Sequence, residues 1–297
     1  MKKKAVFLFN PISGGHRLIP VKPLIEHNVN RDLYDFEIVT TEHAGHAREL
    51  ARQYADSGYD VVFAVGGDGT VNEVGCGLKG SDTAMGIIPC GSGNGLARHM
   101  GISMDPFKAV KWLNKSKVET IDTGMICDHP FFCTCGVGFD AQISKSFSES
   151  GSRGIITYLE NIIREISSYR NETYQLNIDG SNETVEAFIV TCGNAGQWGN
   201  NAYIAPTASL QDGLLNISII PPFAAIDAPL MALQLFNRQL YKNKNVKMFD
   251  CRELTIHRSG PGVAHFDGDP VMLGDEINIS IVPQSLKVLI PDKPGKI

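Results

Sequence analysis

The sequence predicts an α/β domain followed by a mainly β domain, and three observations lead to this prediction. Short apolar runs alternate with glycine-rich turns and helical periods in the first third of the chain, which is typical of a parallel sheet. After about Val118 the pattern changes to short runs, several with period-two alternation, which is typical of antiparallel strands buried on one face. The length of 297 residues favours two domains rather than one.

The elements of the first third follow in a regular order. Apolar runs predict four buried strands, at residues 5–9, 36–40, 61–65 and 84–88. A helix is predicted after the second strand, because apolar residues there recur at helical spacing: Ala47, Leu50, Ala51, Tyr54 and Ala55. Further helices are predicted after the third and fourth strands. Strands and helices therefore alternate as in a parallel sheet with crossover connections.

The remainder of the chain predicts a sandwich of short strands. The runs that read as strands are 131–137, 174–178, 185–192, 214–220, 254–257, 277–282 and 286–290. Two helices interrupt them, one with an apolar face over 155–166 and one over 230–240.

Composition excludes several classes of function. A net charge of −5 and an isoelectric point near 5.9 give no electrostatic support for a nucleic-acid partner. The seven cysteines show no paired C-x-x-C spacing, so we expect reduced, mostly buried thiols and a cytoplasmic protein. The apolar run at 5–9 is too short for a signal peptide or a transmembrane segment.

Three glycine-bearing turns follow three strands of the predicted sheet, at 10–15, 66–70 and 91–95. Such turns share one edge of a parallel sheet, and glycines let backbone N–H groups approach phosphate oxygens there. The second turn also contains Asp68, which would repel a phosphate. An exposed acid at this position is suited to holding Mg²⁺ or to accepting a proton from an attacking hydroxyl, whereas an isolated Asp would be an ordinary turn residue.

Several neighbouring polar residues have a structural alternative. Thr70 and Glu73 have the spacing of a helix capping box, which is at least as good an interpretation as nucleotide contact. Ser92 and Asn94 equally well shape the turn in which they lie. No Gly-x-x-x-x-Gly-Lys-Ser/Thr motif is present, so the chain is not a P-loop NTPase.

Taken together, these segments resemble the catalytic family of diacylglycerol kinases, the lipid kinases that include sphingosine and ceramide kinases. The resemblance rests on five motifs in family order: Asn-Pro-Ile-Ser-Gly-Gly at 10–15, Gly-Gly-Asp-Gly-Thr-Val-Asn-Glu at 66–73, Ile-Pro-Cys-Gly-Ser-Gly-Asn-Gly-Leu-Ala-Arg at 88–98, Gly-Val-Gly-Phe-Asp-Ala at 136–141 and Phe-Asp-Gly-Asp at 266–269. The Gly-Gly-Asp-Gly motif alone is shared with NAD kinases and phosphofructokinases.

The resemblance implies a Rossmann-like, NAD-kinase-like ATP-binding domain at 1–120, rejoined by 285–297, and a β-sandwich lipid domain at 121–284, with the active site between them. It implies an ATP-dependent kinase that phosphorylates a membrane lipid, diacylglycerol or a sphingoid base. The residues expected to bind ATP are Asn10, Thr41, Gly66, Gly67, Gly69, Thr70, Glu73, Gly91, Ser92 and Asn94.

The acids have separate expected roles. Asp267 matches the late acid of the family and is our choice for the general base, with Asp68 as the electrostatic and Mg²⁺ partner. Physical reasoning supports one base and leaves the choice between these two acids open. The resemblance also implies a structural Mg²⁺ held by the Asp212 carboxylate and by backbone carbonyls at Ser209 and Leu214; without it, Asp212 starts an ordinary turn.

Three departures from the family pattern leave the lipid open. Gly95-Leu96 stands where bacterial diacylglycerol kinases tend to have Asp-Phe, which is closer to sphingosine kinases. Asp269 stands where Glu is usual, and Cys133 where Asn is common. Two alternatives to a lipid kinase are an NAD kinase and a non-catalytic lipid- or nucleotide-binding module. A homodimer is also left open.

A lipid kinase must reach a substrate held in a bilayer. The apolar segment 221–236, followed by a basic run at 242–247, is suited to transient contact with a membrane surface. The alternative interpretation, which the sequence favours, is a helix that covers the sandwich. The apolar face over 155–166 is likewise expected to be core rather than a lipid groove.

Overall fold

The computed structural model describes residues 2–13, 20–150, 165–166 and 169–292, and the chain divides into two compact units. The α/β unit comprises Met1–Asp122 and Pro283–Ile297, and the sandwich unit comprises Thr123–Val282. Of the helix predicted over 155–166, all but the last two residues lie outside the described residues, as do Gly14 and Gly15 of the first glycine turn.

The α/β unit is built on a parallel sheet, as predicted. Its first four strands are β1 (Lys3–Phe9), β2 (Tyr34–Thr40), β3 (Val61–Gly66) and β4 (Ala84–Pro89). They lie side by side in the order β2-β1-β3-β4, and every neighbouring pair is parallel. Residues of β3 and β4 are buried along their whole length, which explains their uninterrupted apolar sequences.

Helices connect these strands. They are α1 (Val21–Asn28), α2 (His46–Asp56), α3 (Asp68–Leu78), α4 (Gly95–His99) and α5 (Pro106–Leu113). The sequence predicted α2, α3 and α4 but not α1, which has a single buried residue, Ile25, and hence a weak apolar period. Asp105 caps α5 by accepting hydrogen bonds from the N–H groups of Phe107 and Lys108.

An aromatic stack on one face of the sheet fixes the spacing of three strands. Phe7, Phe63 and Gly86 are register neighbours on β1, β3 and β4. The rings of Phe7 and Phe63 stack with centroids 4.3 Å apart. The Phe63 ring covers the next strand, where a Cβ on Gly86 would lie 2.1 Å from it. Glycine is therefore required at position 86 by close packing rather than by backbone conformation.

The sandwich unit contains two mainly antiparallel sheets, which confirms the predicted sandwich. Its strands are β5 (Ser116–Ile126, which begins in the α/β unit), β6 (His129–Phe131), β7 (Thr134–Gly138), β8 (Glu172–Ile178), β9 (Ser181–Ala187), β10 (Ile189–Gly193), β11 (Leu215–Ile220), β12 (Lys247–Cys251), β13 (Glu253–His257), β14 (Gly262–Phe266), β15 (Asp269–Leu273) and β16 (Glu276–Pro291). One sheet has the order β12-β11-β10-β7-β14-β15. In the other, β16, β13, β8 and β9 follow one another, and β5 pairs with β16 and β6.

The core of this unit consists of residues from both sheets. Tyr174 and Leu254 from one sheet and Val137, Val190 and Ile217 from the other belong to a single buried cluster. Alternate residues of β8 and β13 contribute to it, in agreement with the period-two pattern of their sequences. The sequence pattern therefore identified which face of these strands is buried.

Four predicted runs differ from the structure in their boundaries, and the first of them, at 131–137, is interrupted between β6 and β7. The run at 185–192 is split between β9 and β10, which belong to different sheets, and Phe188 lies between them. The runs at 277–282 and 286–290 form the single strand β16, in which Gln284 has a φ of 49°. Its later residues return to the α/β unit, where Val288 pairs in parallel with Met85 of β4. Apolar runs do not show where a strand changes sheet, because both sheets bury the same residue types.

Two helices are described in the sandwich unit. Helix α6 (Phe139–Ser150) follows β7, and α7 (Ala228–Phe236) is shorter than the predicted 230–240 helix, since Leu240–Lys242 forms a separate 3-10 turn. In the part of the chain that the structure describes, no helix is long and apolar enough to cross a membrane. All seven cysteines are free thiols, and five of them are buried.

The stacking of Phe63 over Gly86 gives a stability prediction. We expect Gly86→Ala to lower the free energy of unfolding by about 1–3 kcal/mol, because the added methyl group overlaps the ring and the sheet must shift. Gly274→Ala is the matched control, since a Cβ there meets no atom within 4 Å. The measurement is urea denaturation followed by circular dichroism. Equal midpoints for the two variants would contradict the close contact.

Candidate active site

The glycine turns lie at one edge of the parallel sheet. The turns that begin at Asn10, Gly67 and Cys90 follow β1, β3 and β4, which are adjacent and parallel. The carboxyl ends of these strands therefore place the three turns together, as the sequence predicted. Helix α3 starts at Asp68 with Gly67 at its N-cap and without a side-chain cap. The N–H groups of its first turn have no carbonyl partners within the helix, which makes this end suited to an anion.

The second and third turns are in direct backbone contact. A Cβ on Gly91 would lie 2.6 Å from the Cα of Gly67, and a Cβ on Gly67 would lie 3.3 Å from the Cα of Gly91. A Cβ on Gly66 would overlap the Thr70 side chain at 2.3 Å. Glycine is needed at 91 because a side chain there would push the two turns apart, and at 66 because a side chain there would overlap Thr70 of the helix that follows. Gly69, by contrast, has open space around it.

Asp68 joins the second turn to the third. Its Oδ2 accepts a hydrogen bond from the Asn94 N–H and its Oδ1 accepts one from the Gly95 N–H, both at 2.8 Å. Asp68 is the first residue of α3, and its carboxylate accepts the backbone N–H groups at the start of α4, which have no partner within that helix. The residue is half-buried, so the prediction of an exposed acid is wrong. Its position at two helix starts stabilises the negative charge.

Asn94 shapes the third turn from within. It is 4% exposed and has a φ of 54°, a left-handed conformation that Asn adopts more readily than most residues. Its side-chain Oδ1 accepts a hydrogen bond from the Gly91 N–H at 3.2 Å, and its Nδ2 donates one to the Gly91 carbonyl at 2.8 Å. The side chain therefore has a turn-forming role, one of the two interpretations of the sequence. Ser92 is exposed at the tip of the same turn.

Asn10 and Thr41 are placed by the ends of their strands. The Asn10 side chain donates a hydrogen bond to the Thr70 Oγ1 at 2.9 Å, which links the first turn to the second. The Asn10 N–H also donates to the Val65 carbonyl at 3.0 Å. Thr41 is buried and its N–H donates to the Phe9 carbonyl at 2.9 Å. Both residues lie at the sheet edge that carries the glycine turns.

Glu73 supports a neighbouring helix. Its two carboxylate oxygens accept hydrogen bonds from the N–H groups of Gly45, at 2.8 Å, and Ala47, at 3.1 Å. Gly45 is the N-cap of α2, so Glu73 caps α2 from α3. The predicted capping box with Thr70 is wrong, because Thr70 is the third residue of α3 and the N-cap residue is Gly67. Nucleotide contact by Glu73 stays a prediction.

In the sandwich unit, Asp267 lies in a two-residue hairpin turn. Asp267 and Gly268 both have positive φ, 49° and 89°, between the paired residues Phe266 and Asp269. This is the geometry of a tight turn between β14 and β15. Asp267 is half-buried, so its carboxylate faces neighbouring backbone rather than open solvent alone.

The Asp267 carboxylate accepts three backbone hydrogen bonds. Oδ2 accepts from the Phe132 N–H at 2.9 Å, and Oδ1 accepts from Cys133 at 2.7 Å and Thr134 at 3.2 Å. These donors lie at the break between β6 and β7, where the sequence had suggested one continuous run. The bonds orient the carboxylate and stabilise its anionic form. Asp267 is therefore a turn residue, and the carboxylate that was predicted to be the base is held in one orientation by these bonds.

A buried polar cluster beside this hairpin was missed by the sequence reasoning. The Asp140 Oδ2 accepts hydrogen bonds from the Thr191 hydroxyl at 2.5 Å and from the His265 Nε2 at 3.0 Å. His265 is 2% exposed and lies two residues before Asp267 on β14. The available signal was Asp140 in the Gly-Phe-Asp motif, for which no role had been assigned. The cluster fixes β14 and the start of α6 to β10.

The thiol of Cys135 lies in the same region. Burial raises the pKa of Cys135 well above its usual value, the neighbouring Cys192 raises it further, and the carboxylates of Asp267 and Asp140 add to the effect. The thiol is therefore neutral and acts as an apolar core group. It gives no reason to expect a cysteine nucleophile beside Asp267.

The loop expected to hold Mg²⁺ lies before β11. The Asp212 carboxylate is exposed, and its Oδ1 accepts the Leu214 N–H at 3.0 Å. Gly213, with a φ of 70°, lets the chain turn between them. The Ser209 Oγ accepts the Gln211 N–H at 3.3 Å. A carboxylate with two backbone carbonyls and water is an oxygen donor set that fits Mg²⁺, although among the described residues no group of three or more acidic, His or Cys side chains forms a metal cluster.

Comparison with known proteins agrees with this geometry. Residues 4–126 match the family model described as the diacylglycerol kinase catalytic domain, and residues 133–290 match the YegS C-terminal NAD kinase beta sandwich-like domain. A diacylglycerol kinase of Mycobacterium tuberculosis is 31% identical over 97% of this chain and 95% of its own. A probable YegS-like lipid kinase of Chromohalobacter salexigens is 31% identical over 63% of this chain and 62% of its own.

Solved structures show the same fold. A diacylglycerol kinase of Bacillus anthracis superposes with a TM-score of 0.75 at 18% identity, over 98% of this chain and 97% of its own. Another Bacillus anthracis structure superposes with a TM-score of 0.81 at 22% identity, over 98% and 96% of the two chains. At these identities the likeness concerns the fold alone.

The fold and the motif-bearing turns define a lipid kinase. The chain belongs to the diacylglycerol kinase family, since the relative from Mycobacterium tuberculosis is 31% identical over nearly its full length and the two family models together span most of the chain. It is accordingly an enzyme, an ATP-dependent lipid kinase, and the NAD kinase alternative is only a distant relation of fold.

The bridge made by Asp68 gives a second stability prediction. Asparagine at this position has one oxygen in place of two, so either Asn94 or Gly95 loses the acceptor of its N–H group. We expect Asp68→Asn to lower the free energy of unfolding, without nucleotide present, by about 1–2 kcal/mol. Ser92→Ala, in the exposed tip of the same turn, should change it by less than about 0.5 kcal/mol. Urea denaturation checks both values, and an unchanged Asp68→Asn midpoint would show that the bridge contributes nothing.

Proposed function

We propose that this protein transfers the γ-phosphate of ATP to the hydroxyl group of a membrane lipid, either diacylglycerol or a sphingoid base. The observation that carries the proposal is the single sheet edge at which the turns after β1, β3 and β4 begin, together with the start of α3 directly after Gly67. Backbone N–H groups and a helix N-terminus at one place are suited to a polyphosphate. The predicted nucleotide residues Asn10, Thr41 and Thr70 all lie along this edge, and Gly69 leaves room for a close approach.

Asp68 is proposed as the electrostatic partner at this edge. Its two backbone bonds keep the negative charge fixed between α3 and α4. Mg²⁺ bound with ATP would neutralise charge on the phosphate oxygens, and a fixed carboxylate is the kind of group that would orient it. The residue thereby combines a structural role in the turn with a role toward the metal, and its two roles are separable by measuring stability and turnover together.

Asp267 is proposed as the general base. A lipid alcohol is too weak an acid to ionise freely, so a carboxylate must take its proton while the new bond to phosphorus forms. Three backbone hydrogen bonds hold the Asp267 carboxylate in one orientation, which is what positioning catalysis requires. They also stabilise its charge, so proton transfer is expected to accompany phosphorus bond formation rather than to precede it.

The setting of this reaction is proposed to be the cytoplasmic surface of a membrane. ATP is a water-soluble substrate, whereas diacylglycerol and sphingoid bases reside in bilayers. Seven free thiols are consistent with a reducing compartment. We therefore propose a cytoplasmic protein that associates with the membrane from its surface and only transiently.

The reaction is tested by offering γ-labelled ATP with separate preparations of diacylglycerol, sphingosine, ceramide, undecaprenol and NAD. We expect label in a lipid product and none in NAD, as judged by thin-layer separation. Asp267→Asn should lower kcat at least about 100-fold while nucleotide binding is largely kept, and should also lower the melting temperature, because at least one of the three N–H groups loses its acceptor. Asp275→Asn, a change of an exposed acid at the end of the β14–β15 hairpin remote from the Asp267 turn, is the control and should stay fully active. Absence of any labelled lipid would sink the proposed function, and an active Asp267→Asn would move the base elsewhere.

The metal site at Asp212 has a test that does not depend on turnover. We propose that the Asp212 carboxylate holds Mg²⁺ together with the carbonyls of Ser209 and Leu214. Binding to the folded state alone raises the melting temperature. Millimolar Mg²⁺ should therefore raise the Tm of the wild-type protein by a few degrees, on the order of RT ln(1 + [Mg²⁺]/Kd), but not that of Asp212→Ala. Asp128→Ala serves as the control for loss of an acid elsewhere in the unit. Equal Tm increases in all three proteins would place the metal outside this loop.

A further inference from the structure

Helix α7 has an apolar side that the rest of the protein does not cover. In the helix and its flanks Ile226 is 86% exposed, Leu230 56%, Leu233 59% and Phe236 50%. These positions are spaced by three and four residues, so they share one face of a helical segment. None of the residues of α7 is buried, and none between Ala228 and Phe236 is charged. A helix on the surface of a water-soluble domain normally carries charged groups on its outer face.

The opposite side of the same segment is anchored to the sandwich unit. Met231 and Leu235, four residues apart, pack against a hydrophobic cluster that includes Leu240 and Val246. Phe223 packs there as well, with its ring 4.9 Å from that of Phe188. The prediction of a helix that covers the sandwich is therefore right for this side. The packing of Met231 and Leu235 fixes the helix to the sandwich unit and leaves its other face exposed.

The flanks of the helix are basic. Between residues 221 and 247 there are four basic residues, Arg238, Lys242, Lys244 and Lys247, and one acidic residue, Asp227. Lys247 is paired with Glu183, so the local excess of positive charge comes from the other three. The whole chain has a net charge of −5, so this local excess of positive charge is opposite in sign to the rest. Tyr241, 54% exposed, lies between the apolar helix and the lysines. Apolar side chains bordered by an aromatic ring and basic groups fit the boundary between acyl chains and anionic headgroups.

We infer that the exposed face formed by Leu230, Leu233 and Phe236 of α7, together with Ile226 of the 3-10 turn before it, docks this enzyme on a bilayer that contains anionic lipid. The inference rests on the proposed lipid substrate and adds the surface by which the enzyme reaches it. Nine helical residues are about 13 Å long, far short of the bilayer core, so the helix lies in the interface. A second copy of the chain is a poorer occupant, because a two-fold contact through this face would bring like charges together.

The support of the helix also connects it to the polar cluster of the same unit. The Phe188 ring that contacts Phe223 stacks on Phe139 with centroids 4.5 Å apart. Phe139 directly precedes Asp140, which is bonded to His265 and Thr191. Docking through α7 would therefore hold this cluster at a fixed distance from the membrane surface.

The test is sedimentation of the full chain with vesicles of phosphatidylcholine alone or with phosphatidylglycerol added. We expect Leu230→Ser/Leu233→Ser to bind either vesicle roughly tenfold more weakly than wild type, since two exposed apolar contacts are lost. Lys242→Gln/Lys244→Gln should bind roughly tenfold more weakly to the anionic vesicles only. Leu33→Ser, an exposed leucine of the α/β unit, is the matched control and should bind as wild type does. Matching urea midpoints confirm that the variants are folded.

Each outcome decides the inference. Unchanged vesicle binding by Leu230→Ser/Leu233→Ser, or no binding by the wild type, would overturn it. A wild-type dimer that this variant converts to monomers, seen by analytical ultracentrifugation, would assign the face to a second copy and overturn it too. Turnover of a short-chain diacylglycerol dissolved in water measures catalysis without docking, because this substrate is not held in a bilayer. The docking variant should keep this turnover, whereas a wild type that binds vesicles through α7 and labels no lipid would refute the proposed function alone.

Discussion

The hydrogen bonds from Asn94 and Gly95 to the Asp68 carboxylate are the interaction on which the nucleotide edge of the α/β unit depends. The Asp68 side chain, at the start of α3, accepts the N–H groups at the start of α4. It thereby fixes the third glycine turn against the second. Gly67 and Gly91 approach each other closely beside this bridge, which requires that there is no Cβ at position 91. The acid and the glycines therefore form one constraint. A phosphate site built from backbone N–H groups needs such a constraint, because its donors are only as fixed as the turns that carry them.

The sandwich unit uses the same device around Asp267. A carboxylate in a tight turn accepts three N–H groups at the break between β6 and β7, and the turn itself donates back from the Asp267 N–H to the Thr134 carbonyl at 2.8 Å. In both units an acid with a proposed chemical role is also the acceptor that orders a neighbouring loop. Loss of activity in a variant of either acid therefore has two sources. Only a parallel measurement of stability distinguishes lost chemistry from a lost loop.

The sequence was sufficient for the features that repeat locally. Alternation of strands, glycine turns and helices predicted the parallel sheet, and period-two runs predicted the sandwich. The contacts of Asp68, Glu73 and Asp267 could not be predicted, because their partners lie 26 to 135 positions away along the chain and are selected by the tertiary fold. The split at Phe188 was missed for a related reason, since a buried run is equally apolar whichever sheet it joins. His265 carried no sequence signal, because a lone histidine in a strand is ordinarily a core residue.

The contacts also change what the three departures from the family pattern imply about the lipid. Gly95 gives its N–H to Asp68 and Leu96 is 2% exposed, so the Gly-Leu pair acts on the packing of the third turn. Cys133 is buried, and its backbone N–H holds Asp267. The departures at these buried positions are therefore evidence about how the turns pack, not about the substrate. Asp269 is different, because its side chain is exposed at the start of β15, two residues after the proposed base. Among the three departures, we therefore propose this shortened acid as the one that bears on the choice of lipid.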